Sequence, residues 1–407
     1  MLSFEKANYC TVGWGYDSAL HPYNPTWYPS SAFFPEYKNT AFHRFFETYE
    51  TFLLPSIAFD SYLCYTFGNC LLKERSGIMA TLEDIAKKVG VSKSTVSKAL
   101  NGAGDVSQSM RRLVLETAVE LGYSRLRRGE ESPTLALFIT NMNYQTSEDF
   151  GYDIIIGFRK MAEPDGYTVQ IIPLTIDMEE SNRYEEYMMQ HNYQGALFLG
   201  LSLDHPWLKE FKTCRIPTVL YDNQIIGNPY VTYVGADNRE GMHLAVRHLA
   251  SLGHRQIGYL GSALGAYIYQ QRYKAFFEAL QENSLADSPE RAGVSYYVEE
   301  CIQQHLQRIL DMGCTAILCS HDILARRIME ECQDRGLSIP GDVSVLGFDD
   351  LPLCCHTQPP LTTIRQNRAE IGKSAYCALS GQINGVPLST LLLHTELIQR
   401  GSCGPTR

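Results

Sequence analysis

Lys93, Ser94, Thr95, Ser97 and Lys98 project from one side of the run KSTVSKAL, while Val96, Ala99 and Leu100 fall on the other. Cationic and short hydroxyl side chains gathered near the start of a helix suit contact with base edges and phosphates. The plainer alternative is the solvated face of a small helical subdomain. Charge separates the two locally: the chain carries 35 Lys+Arg against 45 Asp+Glu, yet residues 79–128 hold nine Lys/Arg against five Asp/Glu. A basic end on an acidic body confines phosphate contact to that end.

No catalytic constellation competes. Asp349 and Asp350 are adjacent on a strand end, where successive side chains point apart and cannot share a proton. The histidines form no H-E-x-x-H set, and no P-loop or G-x-G-x-x-G follows a strand pattern. The cysteines show no C-x-x-C pair; Cys354 and Cys355 are neighbours that cannot bridge without strain, and Cys314, Cys319 and Cys377 lie in apolar stretches as core thiols. No metal, cofactor or enzymatic activity is expected. Reduced thiols, no apolar run of membrane-spanning length and no leader pattern point to the cytoplasm.

The elements that hold the polar face are legible. Thr81 to Asp84 has the spacing of a capping box, and Leu82, Ile85, Ala86 and Val89 recur at helical period, so a first helix starts there and Gly90 ends it. Ser92 is placed to cap the second helix and Ser107 the third, with Leu113, Val114, Ala118 and Leu121 expected to close the core. After about residue 133 the pattern changes. Strand runs LALFIT, VQIIPL, GALFLGL, TVLY, QIGYL, TAILCS and VSVLGF alternate with amphipathic stretches such as Tyr152 to Ala162, Arg239 to Leu252 and Arg272 to Asn283. That alternation predicts parallel sheets wrapped by helices: two doubly wound α/β lobes facing a cleft.

The blocks T-L-x-D-I-A, V-S-x-x-T-V-S and L-G-Y, in this order between Thr81 and Tyr123, resemble the helix-turn-helix headpiece of the LacI/GalR family of bacterial regulators. TYVGADNREG, HLASLGHRQIGYLG, QQRYKAFFEAL, ILCSHDILA, GDVSVLGFDD and PPLTTIRQN are similar to that family's regulatory core, which has the periplasmic-binding-protein fold. The resemblance implies an all-α DNA-binding headpiece at 79–123 and a two-lobed effector-binding and dimerisation core at 134–403. Its N-lobe would span about 134–235 and 368–390, and its C-lobe about 236–367 and 391–403. Two-fold symmetry would match a near-palindromic DNA operator. Lys93, Ser94 and Ser97 would read bases, while Thr81, Thr95, Lys98, Asn101 and Ser107 would fix the helix on phosphate or neighbouring bases. Carried over, the effector contacts are Arg272, His321 and Asp349 in the C-lobe, Asn141 and Asp222 in the N-lobe, and Tyr296 or Tyr297 (the latter preferred) as a stacking platform. Each has a structural alternative as a lobe-stabilising group. The ligand would be a sugar, nucleobase or related metabolite, and the chain a homodimeric repressor, nucleoid-associated when bound. A constitutive regulator with a vestigial, ligand-silent core is the alternative.

Two segments depart from the family. Only SRLRRGEESPT separates Tyr123 from the first core strand at Leu135, with Leu126 as the one candidate wedge for the minor groove. This short basic linker, 124–133, is expected to hold backbone phosphates through Arg125, Arg127 and Arg128 and to bend the operator less than a hinge helix would. Residues 1–78 carry nineteen of the 45 aromatic residues without sustained period. They read either as an aromatic partner-binding extension or as upstream sequence before a natural start at Met79.

Overall fold

The computed structural model describes residues 80–406 apart from 102, 122, 124–131, 176–177, 179–182 and 263–265. The extension 1–78 and the linker residues Arg125, Leu126, Arg127 and Arg128 thus lie outside the described residues.

Three short helices open the described chain: α1 Leu82–Val89, α2 Lys93–Leu100 and α3 Gln108–Glu120. The expected capping box forms, with the Asp84 N–H donating to Thr81 Oγ1 at 3.3 Å and the Thr81 N–H donating to Asp84 Oδ2 at 2.7 Å. Gly90 ends α1 at φ +78°, a left-handed conformation that costs glycine little. Ser92 Oγ accepts the Thr95 N–H at 3.1 Å and Ser107 Oγ accepts that of Met110 at 3.3 Å, so both expected caps are made. Ile85, Ala86, Val96, Ala99, Leu100, Val114, Leu115 and Ala118 form the core. Leu113, expected inside, is instead 45% exposed. One helical step carries it off the stripe set by Val114, Leu115 and Ala118, and Leu115 takes the buried place.

The body is built on two six-stranded sheets. The first holds β1 Thr134–Ile139, β2 Thr168–Pro173, β3 Tyr193–Leu199, β4 Thr218–Tyr221, β5 Val231–Ala236 and the late strand β11 Thr390–Leu393, in the order β11-β5-β4-β3-β1-β2. The second holds β6 Ile257–Gly261, β7 Ala292–Val294, β8 Ala316–Cys319, β9 Ser344–Asp349, β10 Thr362–Arg365 and β12 Glu396–Ile398, in the order β12-β10-β9-β8-β6-β7. Every pairing is parallel except β10 with β12. The helices are α4 Phe150–Ala162, α5 Tyr184–Gln190, α6 Trp207–Glu210, α7 Asn238–Ser251, α8 Tyr267–Glu282, α9 Val298–Cys301, α10 Gln307–Asp311, α11 Asp322–Asp334 and α12 Arg368–Ile383. This is the doubly wound pair that the strand runs predict.

The chain passes from one sheet to the other after β5, after β10 and between β11 and β12. The last crossing corrects the lobe division expected at 390/391. Thr390–Leu393 pairs in register with Tyr233–Ala236, so residues 391–393 complete the first sheet and the crossing falls at His394–Thr395. Glu240 near the start of α7 holds that crossing, accepting from the Thr395 N–H at 2.8 Å and bonding His394 Nδ1 at 2.9 Å.

Helices α4 and α12 cover one face of the first sheet and touch backbone to backbone. A Cβ on Gly157 would stand 2.1 Å from the Ala369 carbonyl oxygen, and one on Gly372 2.0 Å from that of Ile154. Glycine on both sides permits this approach. On the opposite face, Met189 of α5 packs against the headpiece core, and Arg215 Nη1 donates to the Glu120 carbonyl at the end of α3 at 3.0 Å.

Candidate functional site: a polar helix face and an inter-lobe cleft

On α2, Lys93, Ser94 and Lys98 are exposed while Thr95 and Ser97 are half-buried; Thr81, Asn101 and Ser107, at the ends of the helices, are exposed. The caps engage several of these groups. Ser92 Oγ lies 2.9 Å from Ser94 Oγ and 2.8 Å from Thr95 Oγ1, and Asn101 Nδ2 donates to Ser97 Oγ at 3.3 Å. Lys98 Nζ pairs with Asp105 at 2.5 Å, an exposed ion pair that phosphate would have to displace. Lys93 projects beside the capped N-terminus of α2, where peptide N–H groups add partial positive charge. Lys93, Ser94, Thr95, Ser97 and Lys98 thus share one short helix, with Asn101 bonded to its last turn, while Thr81 and Ser107 cap α1 and α3.

The second constellation sits at the carboxyl ends of the strands, where open α/β sheets bind small molecules. A cavity of about 290 Å³ is lined from the first lobe by Asn141, Met142, Gly200, Leu201, Ser202, Tyr221 and Asp222, and from the second by Ala266, Ile268, Tyr269 and Tyr296. Gly200 is required here: at φ +75°, a Cβ would meet the Thr140 carbonyl oxygen at 1.8 Å. Asn141 and Asp222 also take positive φ, +51° and +58°, conformations that Asn and Asp tolerate best among side-chain-bearing residues.

Arg272 stands behind this lining, 2% exposed, with its guanidinium 3.7 Å from the Phe348 ring centroid. Its Nε donates to Asn238 Oδ1 at 2.8 Å, Nη1 to the Ser320 carbonyl at 2.5 Å and Nη2 to Asp349 Oδ1 at 3.3 Å. Asp349 Oδ1 also accepts from Gln366 Nε2 at 2.6 Å, and the Tyr221 hydroxyl donates to Gln366 Oε1 at 3.2 Å. Gln366 lies in the second crossing, so this chain of bonds ties the end of β4 in one lobe to the end of β9 in the other. Burial pushes the Asp349 carboxyl up, opposed by Arg272.

Asp222 is different. It lines the cavity, yet its Oδ1 is sealed from solvent with no hydrogen-bond partner among the described residues. Burial pushes its carboxyl up to about 7, against the opposing pull of Arg272 and of the neighbouring Tyr221 hydroxyl.

His321 stands outside the lining, with protein partners at both ring nitrogens. Its Nδ1 accepts the Leu324 N–H at 3.2 Å, capping α11, so the ring proton sits on Nε2 and is donated to Ser262 Oγ at 2.6 Å. Burial holds the ring neutral, its pKa lowered to about 3. Both nitrogens are committed, leaving the Ser262 hydroxyl proton as the group His321 orients. Tyr297, 75% exposed, stands at the start of α9 and outside the lining, whereas its neighbour Tyr296 is part of it.

Sequence reasoning missed Tyr269, Gln366 and Phe348. Tyr269 carried a signal, lying three residues before Arg272 and hence on the same helix face. Gln366 carried none, because its partners are distant in the chain. Among the described residues no group of three His, Cys, Asp or Glu is placed to hold a metal ion, and no helix is long and apolar enough to cross a membrane.

Known proteins bear on both constellations. Residues 81–125 match the model for bacterial regulatory proteins of the lacI family, and residues 246–403 match that for a periplasmic binding protein-like domain. The HTH-type transcriptional regulator MalR of Streptomyces coelicolor is 32% identical over 336 residues, covering 79% of this chain and 96% of MalR. The HTH-type transcriptional repressor CytR of Escherichia coli K12 is 29% identical over 333 residues, covering 79% and 96%. Among solved structures, the complex of the transcriptional regulator CelR with cellobiose aligns with a TM-score of 0.59 at 26% identity, covering 79% of this chain and 99% of that one. With the capped headpiece, the paired doubly wound sheets and these matches in hand, the chain belongs to the LacI family of bacterial regulatory proteins.

Proposed function

We propose that this protein is a ligand-responsive repressor: a homodimer whose two headpieces bind half-sites of a near-palindromic operator, with affinity set by a sugar or related small molecule in the inter-lobe cleft. The observation that carries this reading is the cleft itself, lined from both lobes and backed by a hydrogen-bonded path from Tyr221 through Gln366 to Asp349. A ligand gripping both sides changes the relative stability of lobe arrangements and, through the first lobe, of headpiece arrangements. The cellobiose held by CelR supports a sugar-class ligand, and the name of CytR as a repressor supports the sign of regulation.

Within this reading Lys93, Ser94 and Ser97 face bases, while Thr81, Thr95, Lys98, Asn101 and Ser107 hold the helix on the duplex. Arg125, Arg127 and Arg128 add phosphate contacts from the linker. Asn141, Asp222 and Tyr296 meet the ligand at the cavity wall; Arg272 and Asp349 form the charged floor, and His321 acts through Ser262. The protein works without catalysis, in the cytoplasm and at the nucleoid when bound.

Operator selection from a random duplex pool, followed by binding with and without glucose, ribose and cellobiose, tests the reading. A dyad-symmetric site whose affinity one of these sugars shifts fulfils it; affinity unmoved by every small molecule that binds the cleft overturns it. One observation favours the alternative of a ligand-silent core: all three guanidinium nitrogens of Arg272 already have protein partners. Under that alternative operator binding persists and the cleft takes nothing.

A further inference from the structure

The cavity wall is lopsided in charge. Among the described residues its lining includes no Lys, Arg or His, and its one carboxylic acid is Asp222. The cation whose charge acts on Asp222, Arg272, is 2% exposed and bonded to Asn238, Ser320 and Asp349. A phosphate ester entering this space would meet a carboxyl and no free cation, and would surrender its hydration without a counter-charge. Neutral hydroxyls find what they need: Asn141, Ser202 and Asp222 for hydrogen bonds, and Met142, Leu201, Ile268 and the Tyr269 and Tyr296 rings for C–H faces.

Resting on the effector reading above, we propose that the cleft selects an electrically neutral, polyhydroxylated ligand over its phosphorylated form, and that a ligand hydroxyl donated to Asp222 drives one proton off that carboxyl. The balance is simple: Asp222 loses a proton to solvent, and the resulting carboxylate accepts the ligand O–H. Asp222 lines the cavity, and the lack of a protein donor at its Oδ1 leaves the carboxylate with acceptor capacity that the protein does not fill. The groups facing Asp222 are Arg272 and Tyr269 of α8, Asp349 at the end of β9, Tyr221 at the end of β4 and Tyr233 of β5. Burial pushes all three phenols up, away from neutral pH. Asp349 already accepts from Arg272 and Gln366, so Asp222, whose Oδ1 has no partner among the described residues, is the carboxyl that a ligand donor ionises most.

The test measures binding of glucose, ribose and cellobiose beside glucose 6-phosphate and ribose 5-phosphate to the full chain, by thermal shift and calorimetry. A neutral sugar binds, its phosphate ester binds at least tenfold more weakly, and sugar affinity falls about tenfold from pH 8 to pH 6, as a carboxyl titrating at about 7 requires. Asp222→Asn, which keeps the shape and tolerates positive φ, binds more weakly and without this pH dependence. Calorimetry of the parent in Hepes and Tris at pH 7 reads the proton directly, with about half a proton released per sugar. A phosphate ester that binds as tightly as its parent sugar, binding by none of the neutral sugars, or zero proton release overturns the proposal. A sugar that binds with this pH dependence yet leaves operator affinity unchanged upholds it and overturns the effector reading alone.

Discussion

His321 is held by the protein at both ring nitrogens. It caps α11 through Nδ1 and fixes Ser262 through Nε2–H, which only the neutral ring can do. Protonation would remove the acceptor and place charge beside Arg272. Because the folded pKa is lowered to about 3 from 6.5, the unfolded chain binds the proton first, and this stabilisation is intact above 6.5 and is withdrawn as pH falls from there toward 3. Urea unfolding of the parent and His321→Asn should therefore converge below pH 6.5 by about 1.4 kcal/mol per pH unit, the raised Asp222 and Asp322 carboxyls cancelling in the difference. Parallel curves would refute the neutral-ring assignment. In the headpiece, Lys98→Ala should lower the slope of log affinity against log salt by about one, while Lys93→Ala changes which half-site is selected. Asp105→Asn, by releasing Lys98 from its ion pair, should tighten operator binding at low salt. Caps were legible because they are local: Thr81 with Asp84, and Ser92 with Thr95, lie three residues apart. The choice of Tyr296 over Tyr297 was not, since adjacent residues differ only in which way the chain enters α9.

At the scale of elements, two helices and one crossing carry the most consequence. Gly157 and Gly372 let α4 and α12 meet at a separation that no side chain fits. Gly372→Ala must move backbone against backbone and should cost about 3 kcal/mol, read as a lowered urea midpoint with unchanged slope. Gln366 joins Tyr221 to Asp349, and Gln366→Leu leaves both without that partner inside the protein. A loss of about 2 kcal/mol in stability is expected, with weaker sugar binding; an unchanged melting temperature would show that the link between lobes is idle. Strand runs in the sequence placed β1, β2, β3, β4, β6, β8 and β9, because buried parallel strands read as continuous apolar stretches. The short edge strands β7, β11 and β12 carry three or four residues each, too few to show a period. That is why the third crossing was expected before β11 rather than after it.

Across the whole molecule, the headpiece rests on the first lobe through Arg215 and Met189, and that lobe shares the cleft with the second. A cleft ligand and the operator are thus two ligands of one coupled body, and linkage requires each to change the other's affinity by the same factor. The two-lobed body and the headpiece were both visible in the sequence, one as alternating periods and the other as caps and a polar face; how the lobes share one ligand was not, because the cleft is assembled from strand ends scattered between Asn141 and Tyr296. The most direct measurement is operator affinity of the full chain, by fluorescence anisotropy on its selected site, across graded concentrations of the neutral sugar that raises its melting temperature. Saturating sugar should shift operator affinity at least about fivefold, matched by an equal shift in sugar affinity when operator is bound. Operator affinity that stays constant while the cleft fills would contradict it.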